Sequence, residues 1–160
     1  MAELARIEIT IQAAPFDPAV QLASISGSDT DCGAVASFLG QVRGEDGLIA
    51  LELEHYPGVT EKALRRIAES AAERWQLARA VILHRVGRME LGEAIVFVGA
   101  AAPHRRAALD ATSFMIDVLK TQAPFWKKTH TKTGSHWVEA RAEDHAASTR
   151  WLKDRESETG

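Results

Sequence analysis

The chain is poor in most features that narrow a protein's function quickly. It has one cysteine, Cys32, in 160 residues. An intramolecular disulfide and a cysteine metal cluster are excluded, and a reducing compartment fits. The longest apolar run, AIVFVGAAA over 94–102, is far too short to cross a bilayer. The opening MAELARIEITIQ has no basic segment leading into an apolar core. It does not read as a signal peptide, and the expected location is cytoplasmic. Positive charge is not in excess: 22 acidic against 19 basic residues give a net charge of -3, which weighs against a general nucleic-acid binder. The histidines form neither HxxxH nor HExxH, so no metal or other cofactor is expected. There is no internal repeat, low-complexity tract or obvious linker.

What is present is enough apolar sequence for a core. The chain is 46% hydrophobic and 26% charged, as in ordinary globular proteins. Its length predicts one domain over 1–153, with a polar, frayed tail at 154–160. Residues 4–11 alternate, with Ala5, Ile7, Ile9 and Ile11 on one face of a strand. Asp17-Pro18 starts a short helix to about Ser26. Residues 32–42 read as a buried strand and 48–56 as an alternating one. Thr60 is expected to cap a helix to Trp75. Strands over 79–86 and 93–101 flank a turn at 87–92. Pro103 opens a helix to about Gln122, which Pro124 ends. Residues 125–131 and 135–140 form a last hairpin around Thr133-Gly134, and 143–153 a short helix. Neighbouring strands without helices between them predict an α+β fold with antiparallel hairpins packed against helices.

Three segments are suited to chemistry. Pro103-His104-Arg105-Arg106 opens a helix, where free N–H groups and basic side chains favour an anion. The alternative is that Arg105 and Arg106 are solvated and pair with Asp110 or Glu93. KTQAPFWKKTH, Lys120 to His130, sets three lysines around a proline and two aromatics. Lys120 also fits a helix C-terminus, with Asp117 three residues back. Lys127 and Lys128 point to opposite faces of a strand, so one of them shares a face with Phe125. A charged sheet edge explains them equally. Phe38 to Arg43 ends a strand on an arginine before a glycine-rich loop. Cys32, beginning an apolar strand, reads as a core residue rather than a nucleophile.

Taken in order, FLGQVR, LELEHYPGVTEKAL, ERW, HRVG, GEAIVFVGAAAPHR, IDVLKTQAPFWKK and HWVEAR resemble the large, catalytic subunits of molybdopterin synthase. The resemblance runs from about Arg6 to Trp151. It implies an α/β-hammerhead fold and a homodimer. Each copy would bind a small ubiquitin-like sulfur carrier, making a heterotetramer. The carrier's C-terminal Gly-Gly thiocarboxylate would give two sulfurs, in turn, to cyclic pyranopterin monophosphate, forming the molybdopterin dithiolene. The resemblance assigns Lys120 and Lys127 as catalytic. It assigns Gln41, Val42, Arg43, His104, Arg105, Lys128, Thr129 and Arg141 to substrate binding. Gln41 stands where lysine is common, and the 44–47 loop is shorter than in some relatives. Two anions meeting in one pocket explain why lysines cluster in a chain of negative net charge. The rival class is a non-catalytic module binding RNA or another acidic partner through lysine-aromatic interleaving.

Overall fold

The computed structural model describes residues 4–27, 29–45, 47–138, 146–147 and 149–151. In chain order the elements are β1 (Arg6–Gln12), α1 (Pro18–Ile25), β2 (Ala34–Gln41), β3 (Leu48–His55), α2 (Val59–Trp75), β4 (Arg79–Arg85), β5 (Gly87–Glu90), β6 (Ala94–Ala102), α3 (Arg105–Gln122), β7 (Phe125–Thr131) and β8 (Gly134–Val138). They form two four-stranded sheets. Sheet A has the order β1-β4-β6-β2 and sheet B the order β5-β3-β7-β8. The β1–β4 pair is parallel and the other pairs are antiparallel. This is the α+β architecture expected.

Local sequence explains most boundaries. Asp17 caps α1 by accepting from the Ala19 amide at 2.9 Å, with Pro18 in the first turn. The alternating β1 turns Ile7, Ile9 and Ile11 toward the main core. In β3, Leu51 and Leu53 are buried while Glu54 is exposed. Pro124 follows α3 directly, and Ala123 closes the helix with an amide bond to the Leu119 carbonyl at 3.3 Å.

Three expectations change. The 87–92 stretch is not only a turn: it contains β5, which leaves sheet A and pairs with β3 in sheet B. Gly87, at φ 83°, makes that exit possible, because a side chain is strained there. The second strand is not buried. β2 is an edge strand with Val35, Phe38 and Leu39 exposed, since its neighbour β6 covers only one side. Thr60 does not cap α2. The N-cap is Gly58, whose amide is bonded by Glu61 at 2.6 Å. Thr60 is instead fully buried, accepting from the Tyr56 amide at 2.9 Å and donating to the Pro124 carbonyl at 3.0 Å.

The main core lies between sheet A and helices α2 and α3, with Leu64, Ile82, Val96, Val98 and Met115 among its most buried members. A smaller cluster on the other face joins Ile25 of α1 to Val81, Leu83 and Phe97. Gly99 permits this approach: a Cβ there would stand 2.7 Å from Ile25 Cδ1. Trp151 docks edge-on to Trp75, with ring centroids 5.6 Å apart, and its Nε1 donates to Asp117 at 2.8 Å. Residues 146–147 and 149–151 are helical, within the tail helix expected over 143–153. The remainder of that helix, residues 139–140 of the last strand, Arg141 and the tail at 154–160 lie outside the described residues.

Candidate active site

The centre of the site is an elbow. Lys120 occupies the last turn of α3, the chain breaks at Ala123-Pro124, and β7 begins at Phe125. Non-local contacts hold this elbow. Thr60 donates to the Pro124 carbonyl. Phe125 stacks on His84 of β4, with centroids 4.0 Å apart and planes at 20°. Phe125 also lies opposite His55 of β3 in the sheet register. The two sheets therefore meet at the residue that separates the two lysines.

The register of sheet B sorts the basic residues. Lys127 pairs with Leu53 and Val138, and Thr129 with Leu51 and His136. Phe125, Lys127 and Thr129 thus share the face of the buried leucines. Lys128 lies on the other face beside Glu52, its Nζ 5.3 Å from the centre of the Trp137 ring. Lys127 is half-buried, and its ammonium has no ion pair or hydrogen bond among the described residues. Such a cation is a receptor for an anion that the described residues do not supply. Thr129 donates its hydroxyl to the His136 carbonyl at 3.3 Å. Asp117, the expected partner of Lys120, is bonded by Trp151 and by Arg150 at 3.2 Å.

The remaining expected residues fall into two groups. Gln41 ends β2 opposite Ala94, and Val42 and Arg43 follow it. Val42 is buried, its amide bonded to the Glu93 carbonyl at 2.9 Å and its carbonyl accepting from Gly92 at 2.8 Å. It holds the strand end in place, while Gln41 and Arg43 are exposed. Arg43 forms an ion pair with Glu45. His104 and Arg105 begin α3, exposed, with no ion pair of Arg105 or Arg106 among the described residues. Glu93, one partner considered for them, lies 3.6 Å from the buried Arg85 instead. Arg105 and Lys120 sit at opposite ends of one helix, about 22 Å apart along its axis. One chain does not bring the His104-Arg105 pair to the lysines.

Two histidines behind the elbow carry an electrostatic message. His84 is 3% exposed, and its Nδ1 lies 2.8 Å from the Arg85 carbonyl oxygen. A carbonyl only accepts, so Nδ1 holds the hydrogen and Nε2 of the neutral ring is bare. Burial, the largest cause, lowers the ring's pKa to about 4. The carbonyl bond opposes this, and electrostatic interaction with Lys120 and with His55 lowers it further. His55 is itself 3.3 Å from Glu61. The carboxylate of Glu61 is held below its usual range, first by hydrogen bonding with backbone amides. Neither ring has metal spacing, so metal-ligand patterns in the sequence do not single them out. The available signal was a histidine and an arginine ending a strand, ILHR, that is otherwise apolar.

A separate open groove is lined by Arg6, Asp29, Thr30, Cys32, Arg79 and Pro103. It holds none of the expected site residues. Its innermost cation, Arg79, is satisfied by Asp29 and by the Ile25 carbonyl at 2.7 Å. Cys32 is half-buried against the smaller core cluster. Among the described residues, no group of three His, Cys, Asp or Glu side chains is placed to hold a metal ion, and no helix is long and apolar enough to cross a membrane.

Known proteins share this sequence and architecture. Residues 11–122 match the family model described as MoaE protein. The molybdopterin synthase catalytic subunit of Pseudomonas aeruginosa is 53% identical over 146 residues, covering 89% of this chain and 97% of that one. The solved structure of a molybdopterin biosynthesis MoaE protein from Burkholderia ambifaria matches with a TM-score of 0.78 at 46% identity, covering 91% of this chain and 97% of that chain. The crystal structure of molybdopterin synthase from Staphylococcus aureus matches with a TM-score of 0.73 at 30% identity, covering 82% and 96%.

Proposed function

This chain belongs to the MoaE family, the catalytic subunits of molybdopterin synthase, and from that premise we propose how its elbow transfers sulfur. The enzyme is a sulfurtransferase of molybdenum-cofactor biosynthesis. Its sulfur donor is the thiocarboxylated C-terminus of a small ubiquitin-like carrier subunit. The acceptor is cyclic pyranopterin monophosphate, which takes two sulfurs in turn and becomes the dithiolene of molybdopterin. Both reactants are anions. The observation that carries the site is Lys127: half-buried, on the Phe125 face, two residues beyond the aromatic that anchors the elbow, and without a partner among the described residues.

In this reading Lys120 and Lys127 stabilise the negative charge that develops when the thiocarboxylate reacts. Lys120, set at the break, is the group that moves a proton. Gln41 and Arg43 contact substrate at the end of β2, with Val42 fixing their position. Arg43 exchanges Glu45 for a substrate anion. Thr129 continues the Lys127 face, and Arg141 adds a further cation. Lys128 acts from the opposite face, at the rim rather than beside Lys127.

His104 and Arg105 complete the pocket from a second copy. The length of α3 supports this, because it keeps them far from the lysines of their own chain. An open β2 edge bearing Val35, Phe38 and Leu39 supports a homodimer, to which two carriers add to make a heterotetramer. A cytoplasmic setting goes with this assembly, and the single free thiol fits it. The test is reconstitution. This protein, a thiocarboxylated carrier and the cyclic pterin together yield dithiolene product. A well-folded protein that binds the carrier and yields none overturns the reading.

A further inference from the structure

The HRVG stretch contributes to the family resemblance but supplies no residue to the pocket described above. Its histidine nevertheless touches the elbow directly. The His84 ring lies nearly parallel to Phe125 at 4.0 Å. It is tied to its own strand through the Arg85 carbonyl, and β4 is a central strand of sheet A, paired on both sides. The contact thus runs from a buried strand, paired on both sides, to the first residue of β7. Lys127 is two residues further along the same face, and Lys120 is on the helix that ends just before Pro124.

We propose that His84 is a positioning residue for sulfur transfer: its neutral ring, stacked on Phe125, fixes the spacing and orientation of Lys120 and Lys127. Displacing a reacting group by about 1 Å can cost on the order of 100-fold in rate, so an aromatic anchor between two catalytic groups has kinetic consequences. A planar ring suits the role because it meets Phe125 face to face. Neutrality suits it because the titratable groups that act on it are Lys120 from α3 and His55, 3.3 Å from Glu61, from β3. A second cation there would repel the lysine it serves. The depressed pKa of His84 is consistent with a ring that stays uncharged throughout the working range.

The inference rests on the sulfurtransferase reading, and the reconstituted assay separates the two. If wild-type protein makes no dithiolene, both fail. If it does, His84→Leu removes the planar ring while keeping an apolar side chain. Its expected kcat is lower by roughly 10- to 100-fold, with KM for the pterin changed less than about threefold. His84→Phe restores the ring and is expected to recover kcat to within roughly threefold of wild type. Phe125→Leu removes the other half of the stack and should reproduce the defect. The double variant His84→Leu/Phe125→Leu should then be no worse than the poorer single one, because the two rings act as one unit. Phe125→Leu also provides the test if His84→Leu does not fold. A merely structural role would lower the melting temperature without this kcat pattern. Normal kcat in folded His84→Leu overturns the proposal, as does failure of His84→Phe to outperform it. Strict additivity in the double variant does so too.

Discussion

In sheet A the central strands β4 and β6 are buried almost residue by residue, and their neighbours are helices and other strands. In sheet B no residue of β7 is fully buried, and all of β8 is exposed. The same chain has therefore built one sheet from apolar side chains, and half of the other, β7 and β8, largely from lysines, threonines and histidines. The contrast separates two tasks. Sheet A excludes water and holds the molecule together. Within sheet B, β7 is ordered by pairing with β3 on one side and β8 on the other, which leaves the polar side chains of β7 and β8 uncovered. The two meet at the His84–Phe125 stack.

The most damaging changes should be chemical ones in sheet B and at the elbow. Lys120→Ala and Lys127→Ala are each expected to cut dithiolene formation by roughly 100-fold or more, with urea denaturation little changed. Near-normal turnover in either folded variant would erase the division of labour at that lysine. Mixing the inactive Lys127→Ala and Arg105→Ala proteins under verified subunit exchange sharpens it further. A shared pocket gives each mixed dimer one site with both defects and one with neither, so about a quarter of the wild-type activity should return after random exchange. No recovery would confine each site to one chain.

The reverse experiment belongs to sheet A. Ile82 is fully buried in β4, and Ile82→Ala should cost about 2–5 kcal/mol of stability. Activity per folded molecule should survive, as measured by urea midpoint against turnover at low temperature. His84 links the two halves through pH. Its folded pKa, about 4, is below the unfolded value of about 6.5. Above that unfolded value its contribution to stability is complete. As pH falls from about 6.5 toward 4 the unfolded chain takes up the proton first, so stability declines across this window. His84→Phe should flatten that part of the urea-midpoint profile. The smallest effect is expected at Cys32→Ala. Sulfur arrives on the carrier, so turnover should be unchanged; its loss in a stable variant would indicate a persulfide on this chain.

The sequence made sheet A and the helices legible because burial imposes period. The alternation of β1, the Asp17-Pro18 start of α1 and the break at Pro124 all follow from side-chain spacing, capping or proline chemistry. The edge position of β2 was not legible, since FLGQV is apolar whether a neighbour covers it or a second copy must. β5 was hidden because GRME, beside two glycines, has the composition of a turn and becomes a strand only through β3. At the site, the lysines could be singled out, and their opposite faces followed from strand geometry. His84 could not, because its meaning depends on Phe125, which folding brings to it from another sheet. Thr60 was misassigned for the same reason: its hydroxyl serves a distant carbonyl rather than the helix it begins.

That hydroxyl also bears on the order in which the molecule acquires its abilities. Thr60 and Pro124 are 64 residues apart, and sheet A has all its strands once Ala102 has left the ribosome, whereas sheet B awaits Val138. A growing chain tends to fold its earlier parts first. During synthesis, the anchors at Pro124 and Phe125 therefore become possible only after every strand of sheet A has been made. A nascent chain can hold every strand of its apolar sheet before it holds the elbow that carries its lysines.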